Sequence, residues 1–384
     1  MKLGMESRAF LTASAIAMAV VVWAGAAPVE GPPRYFDAAA PSENIARLTI
    51  CYPSAGTISN LLALEKQGLL PGGRFEIVGI YHAQEQTDYR QARQIAREHN
   101  LAWLHFHEIS AALSPAALFR TNAATEEFAA IFRKSDGLIL FGGPDLPPRT
   151  YGQKTSLLTV VTDPYRHYLE LSLIFHLLGG FQDESFRGLL EERPDFPVLG
   201  ICLGLQTMNA GTGGTLVQDI QNQTYGRAYV EDVIAAGRSQ WHSNPWPKVE
   251  PQNRLLLSSM LHPIALSEDS KFVKAMGLGP ADRPEVVSSH HQGAGKIGKG
   301  LRIAAASIDG QVVEALEHAR FPNVLGVQFH PDFSILWDKQ PRFKLTPRAK
   351  EPFAIGTYLE AQPPSMAFHR AIWTWFFGKV KPAK

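Results

Sequence analysis

The stretch from Phe196 to Gln206, FPVLGICLGLQ, constrains this chain more than any other, because it sets a cysteine between two glycines where a buried strand gives way to a helix. Phe196, Val198, Leu199 and Ile201 form an apolar run suited to a central parallel strand, and Leu203 to Asn209 reads as the start of a helix. Cys202 then falls on the turn between them. A turn this sharp brings neighbouring backbones close, so glycine is needed at Gly200 and Gly204, on either side of the cysteine. The helix N-terminus that follows offers partial positive charge and unpaired N–H groups, which favour a thiolate and can hold a developing oxyanion. A buried structural cysteine beside packing glycines would satisfy the same pattern, since free Cys is among the most buried residue types.

A second segment separates the two readings. Val324 to Asp332 reads VLGVQFHPD: an apolar strand delivers His330 at its C-terminal edge, Pro331 breaks the strand, and Asp332 follows. In open α/β sheets the C-terminal strand ends are where ligands bind. Cys202, His330 and Asp332 supply nucleophile, general base and orienter. The order Cys, His, carboxylate differs from the Ser, Asp, His order of α/β-hydrolases.

With these residues in place, the chain resembles the class I glutamine amidotransferase-like proteins and, within them, the γ-glutamyl hydrolases. The resemblance rests on FPVLGICLGLQTMNAGTGGTLVQDI, on the S-x-H-H-Q loop that opens VVSSHHQGAGKIGKGLRIAAASIDGQVVEALEH, and on the Gly-Gly loop of GLILFGGPD, and it covers roughly residues 45 to 335. It implies an oxyanion hole from the N–H of Leu203 and from the Gly142, Gly143 loop. It also implies glutamyl contacts from Gln206, His290, His291 and Gln292, with simple loop packing as the other reading for the two histidines. The family's usual ending is His-Pro-Glu, whereas this chain has Asp332, one methylene shorter. A γ-glutamyl amide hydrolase acting through a thioester is the function expected. The competing readings are a non-catalytic exported binding protein for γ-glutamyl compounds and a cysteine peptidase or amidase acting on ordinary peptide bonds.

The remaining pattern is repeated β, then α. Apolar strands near 45–52, 74–82, 101–107 and 136–142 alternate with helical patterns near 57–68, 86–99 and 123–134, and a helix spans Pro164 to Leu178. A doubly wound, mostly parallel sheet with helices on both faces, plus a small antiparallel strand pair, is expected. The 384 residues carry 37 basic and 36 acidic side chains, so no electrostatic case exists for nucleic acid. No zinc-type Cys/His spacing, P-loop or G-x-G-x-x-G after a strand occurs, so no metal and no cofactor are expected. The partner expected is a small γ-glutamyl substrate.

Lys2 and Arg8 precede an apolar stretch from Ala9 to Trp23, and Ala24, Gly25 and Ala26 supply small residues for cleavage, so residues 1–27 read as a signal peptide, with an uncleaved anchor as the competing reading. Export to the periplasm or the medium follows, without stable membrane insertion once the signal is removed. Residues 28–43 read as a Pro-rich linker, 44–336 as the hydrolase domain, and 337–384 as an extension ending in an amphipathic helix that packs on the sheet. Cys51 and Cys202 are expected to be free, since a bridge would consume the nucleophile. Trp241 and Trp246 either line a substrate mouth or cover a core edge.

Overall fold

The computed structural model describes residues 33–38, 45–70 and 75–382. The expected signal peptide lies outside them, as does most of the expected linker. The strands are β1 (Ala46–Cys51), β2 (Phe75–His82), β3 (Leu104–Ile109), β4 (Gly137–Leu140), β5 (Val198–Ile201), β6 (Leu216–Val217), β7 (Met260–Leu266), β8 (Glu285–Ser288), β9 (Gly293–Ala294), β10 (Leu301–Ser307), β11 (Val313–His318) and β12 (Val324–Val327). Ten of them form one sheet in the order β3-β2-β1-β4-β5-β12-β11-β10-β7-β8, and β6 pairs with β9 separately. From β3 through β12 every pairing is parallel. From β12 to β8 every pairing is antiparallel. The doubly wound class is therefore as expected, and the antiparallel component extends beyond the small β6–β9 pair into the main sheet.

Side chains alternate between the faces of a strand, and the core divides accordingly. Leu48, Ile50, Ile139, Leu199 and Ile201 pack with Ile58, Leu61 and Leu64 of helix Ala55–Lys66 and with Phe368, Ile372, Trp373 and Phe376 of the terminal helix Ser365–Phe377. Val78, Ile80, Leu138, Leu140 and Val198 face the other way, toward helices Thr125–Arg133 and Pro164–Leu178. Both faces are covered, which is why the central strands read as continuous apolar runs. The terminal helix is part of this core, as its amphipathic sequence requires. Pro33 to Ala38 docks on β3, where Phe36 is buried and the Arg34 guanidinium donates to the Glu108 carbonyl. Trp241 covers a core edge beside Val233 and Met260, its Nε1–H donating to the Val233 carbonyl at 2.7 Å. No described helix is long and apolar enough to cross a membrane.

Register places the chemistry. Val198 to Ile201 lies alongside Val324 to Val327, and Leu138 to Leu140 lies alongside Val198 to Gly200. Three parallel strands thus end side by side, so Cys202, His330 and the Phe141–Gly143 loop emerge at one edge. The two glycines near Cys202 are required by close approach: a Cβ on Gly204 would stand 2.3 Å from the Leu140 carbonyl oxygen, and one on Gly200 would stand 2.6 Å from both Gly204 C and Met208 Sδ. Gly204→Ala is therefore an overpacking change and is expected to cost about 1–3 kcal/mol. Urea denaturation monitored by circular dichroism measures this as a lower midpoint at unchanged slope.

Candidate active site

Cys202 occupies the junction between β5 and helix Leu203–Gly211 with φ 53° and ψ −103°, a conformation L side chains rarely adopt. Its N–H donates to the Val327 carbonyl at 2.7 Å, pinning the turn to the neighbouring strand. The N–H of Leu203, in the first turn of the helix, has no intrahelical acceptor.

His330 is buried beside Cys202. Its Nδ1 donates to Asp332 Oδ1 at 3.0 Å, which leaves Nε2 as the free ring nitrogen. Although the Asp332 side chain is one methylene shorter than the family's glutamate, the turn at Pro331 brings it to hydrogen-bond distance. Its second oxygen accepts from Asn60 Nδ2 at 3.0 Å, and Asn60 Oδ1 accepts the Ser334 N–H at 3.2 Å. Phe333 stacks on the imidazole, with centroids 3.8 Å apart and planes inclined by 16°. Trp373 of the terminal helix donates to the Pro331 carbonyl at 2.9 Å. Burial works against a charged imidazole, but the Cys202 sulfur and the Asp332 carboxylate push the pKa of His330 up to about 10. Cys51 is also free and buried, and burial holds its thiol well above the ordinary value.

The Gly-Gly loop lies over this pair. A Cβ on Gly142 would come within 2.7 Å of His330 Cε1, and one on Gly143 would overlap the Arg166 guanidinium. Arg166 Nη2 donates to the carbonyls of Phe141 at 2.8 Å and Gly142 at 3.1 Å. In a trans peptide the N–H points opposite to its C=O. Holding these two carbonyls on the Arg166 side therefore turns the N–H groups of Gly142 and Gly143 toward the opposite side of the loop. Arg166 is itself fixed by Glu170 Oε1 at 2.9 Å and lies 3.6 Å above the Tyr52 ring centroid.

The residues expected to contact a glutamyl group divide into two sets. Gln206 Nε2 donates to the Gln292 carbonyl and to Gln328 Oε1, both at 3.2 Å, and Gln292 Nε2 donates to the Gln218 carbonyl at 3.1 Å. His290 is buried with Nδ1 donating to the Gln292 carbonyl at 2.8 Å. The polar groups of these three knit the loop to its surroundings. His291 is more open, lying between Asp145 Oδ1 at 2.9 Å and Asp219 Oδ2 at 3.2 Å. Burial opposes its charge, but these hydrogen bonds push its pKa up to about 9, so it is a cation at neutral pH. It borders a cavity of 520 Å³ whose lining includes Arg227, Lys248, Leu157 and Leu158, and not Cys202.

Sequence reasoning missed Asn60, Phe333, Arg166 and Glu170. Arg166 and Glu170 left a signal, since opposite charges four residues apart in an otherwise apolar helix must pair. Asn60 left none.

These features define a cysteine-centred site at the C-terminal edge of a parallel sheet. The Peptidase C26 family pattern matches residues 76–332, and the chain belongs to that family, a branch of the class I glutamine amidotransferase-like proteins. A protein of Mycobacterium tuberculosis assigned as a glutamine amidotransferase is 27% identical over 62% of this chain and 63% of its own length. A glutamine amidotransferase-like protein of Lactococcus lactis is 30% identical over 58% of this chain and 74% of its own. The solved structure of a GMP synthase component from Thermoplasma acidophilum is similar over 88% of this chain and 96% of that one, at a TM-score of 0.38 and 11% identity. The family assignment rests on the sequence matches. It supports a C–N hydrolase or amidotransferase that depends on a cysteine.

Because Arg166 and Glu170 are both buried, Arg166→Met leaves a lone buried carboxylate and is expected to cost about 3–5 kcal/mol. Adding Glu170→Leu removes the orphaned charge and recovers most of that stability, while any amide turnover stays depressed because the loop carbonyls have lost their donor. Denaturation and turnover of the single and double variants together measure both effects.

Proposed function

We propose that the protein is an exported hydrolase that cleaves a γ-glutamyl amide through a thioester on Cys202. The observation that carries this reading is the juxtaposition of Cys202, on its strained turn, with an imidazole whose other nitrogen is held by Asp332. The Cys202 sulfur attacks the side-chain amide carbonyl, its proton passing to His330 Nε2. The C–N bond then breaks as the imidazolium protonates the leaving amine. N–H groups of Leu203 and of the Gly142, Gly143 loop receive the oxyanion, each such donor contributing about 3–4 kcal/mol. Water, deprotonated by the same imidazole, attacks the thioester, releasing glutamate and the free thiol. The resemblance to γ-glutamyl hydrolases supports the acyl group, and the N-terminal pattern of Lys2, Arg8, an apolar run and small residues supports export. The cationic groups of Arg227, Lys248 and His291 around the neighbouring cavity suit a substrate that carries a carboxylate.

A panel of γ-glutamyl amides and matched α-linked peptides tests the assignment by released amine. The γ-linked compounds are expected to turn over, and Cys202→Ala to lower kcat by about 10⁴-fold or more. Equal cleavage of α-linked peptides, or activity unaffected by Cys202→Ala, contradicts it.

The pH profile tests the role of Asp332. The imidazolium is needed to protonate the leaving amine, so activity falls as pH rises through the pKa of His330. An anionic partner raises that pKa, so Asp332→Asn lowers it. The alkaline limb of kcat in the variant is expected at lower pH than in the wild type.

A further inference from the structure

Behind His291 lies a second cluster that the proposed hydrolysis does not use. His242, His262, His290 and Glu314 are all buried, and one potential ligand atom from each lies within 4.8 Å of all the others. Glu314 Oε1 is 3.2 Å from His242 Nδ1, 3.7 Å from His262 Nε2 and 3.9 Å from His290 Nε2. Neither oxygen of Glu314, neither ring nitrogen of His242, nor His290 Nε2 has a hydrogen-bond partner.

The ring orientations decide what is missing. His290 Nδ1 faces the Gln292 carbonyl at 2.8 Å and His262 Nδ1 faces the Pro263 carbonyl at 3.3 Å. A carbonyl only accepts, so both Nδ1 atoms carry hydrogen and both Nε2 atoms present lone pairs. Those lone pairs point toward a carboxylate, acceptor against acceptor, in a space closed to solvent. One proton on Glu314 could serve His242 Nδ1, but it would leave His290 Nε2 and the other carboxylate oxygen bare. The Ser288 hydroxyl, 2.8 Å from His262 Nε2, reaches only that one ring. A centre of positive charge with several acceptors around it resolves the conflict.

We propose that His242, His262, His290 and Glu314 bind a divalent transition-metal ion, zinc by their chemistry. Three imidazoles and a carboxylate are a zinc donor set, and an imidazole that ligates through one nitrogen normally donates its other N–H to a carbonyl or carboxylate. At a Zn–N distance of about 2.0–2.1 Å, tetrahedral ligand atoms stand about 3.3–3.5 Å apart. The three distances from Glu314 Oε1 require only small closure to meet that geometry. With four protein ligands the site is closed, so its role is structural. It ties the segment carrying His242, β7, the loop after β8 and β11 together, and so holds the wall that carries His291. No zinc spacing is visible along the chain because the donors come from four separate segments, with none of the short paired intervals of a zinc motif.

The test uses the full, tag-free chain and reads metal, not hydrolysis, so its outcome is independent of the reading given to Cys202. Protein stripped with chelator and exchanged into metal-free buffer is titrated with Co²⁺ at pH 7.5. The expected result is one equivalent bound, with the strong visible absorption of four-coordinate cobalt, bleached by one equivalent of Zn²⁺. Glu314→Gln keeps the shape and removes the anion, and is expected to weaken binding by more than the roughly 10–100-fold that loss of an outer-shell partner costs. Ser288→Ala retains all four ligands and is expected to bind one equivalent. Circular dichroism establishes that each variant is folded. A folded wild type that takes up no cobalt or zinc, or binding that Glu314→Gln leaves unchanged, overturns the proposal.

Discussion

Everything at the site is positioned by one backbone turn. Cys202 is held at φ 53° and ψ −103°, a conformation that costs about 1–3 kcal/mol and persists only when its surroundings determine it. The determination comes from three sides. Its N–H is tied to Val327, the helix after it lies so close to β4 that Gly204 has no room for a side chain, and the strand before it is locked between β4 and β12. Relaxing the turn would break the packing of the most buried part of the sheet. The cysteine is thus presented at the strand end by the same contacts that hold the core.

Around that turn the polar groups are arranged in two supports that do not share residues. On one side Arg166, set by Glu170 and Tyr52, holds the carbonyls of the Gly-Gly loop and thereby aims its N–H groups. On the other side Asn60 holds Asp332, Asp332 holds His330, and Phe333 fixes the plane of the ring. The terminal helix joins the second support through Trp373 and Pro331. A segment remote in sequence from the cysteine therefore bears directly on the geometry of the histidine. The shorter Asp332 is accommodated because it follows His330 closely on a tight turn, and because Asn60 occupies its other oxygen.

Much of this was legible from residue pattern. Gly200, Cys202 and Gly204 on a strand-to-helix junction, and His330 with Asp332 at another strand end, have a local signature because each needs particular residue types at fixed short spacing. The parallel strands were legible for the same reason: strands buried on both faces read as continuous apolar runs. What escaped was long-range. Asn60 is an ordinary helix residue until β12 brings Asp332 to it. The antiparallel strands β7 and β10 alternate less regularly, β10 with a register shift near Ile303 and Ala305, so their place in the main sheet could not be read from periodicity. The four donors around Glu314 were invisible in the same way, because convergence of separate segments is a property of topology. His290 and His291 illustrate the limit most sharply. They are neighbours in sequence, yet one faces the buried Glu314 cluster and the other a cavity, and only the loop conformation separates them.

The central claim is that Cys202, and not the other cysteine, is a nucleophile made competent by its position. Mass spectrometry of the folded protein after incubation with a thiol-directed glutamine analogue tests it most directly, because Cys51 serves as an internal control within the same chain. The expected result is one covalent adduct per chain, mapped by peptide analysis to Cys202, with Cys51 unmodified. An absence of adduct in folded protein, or modification of both cysteines to the same extent, would contradict it.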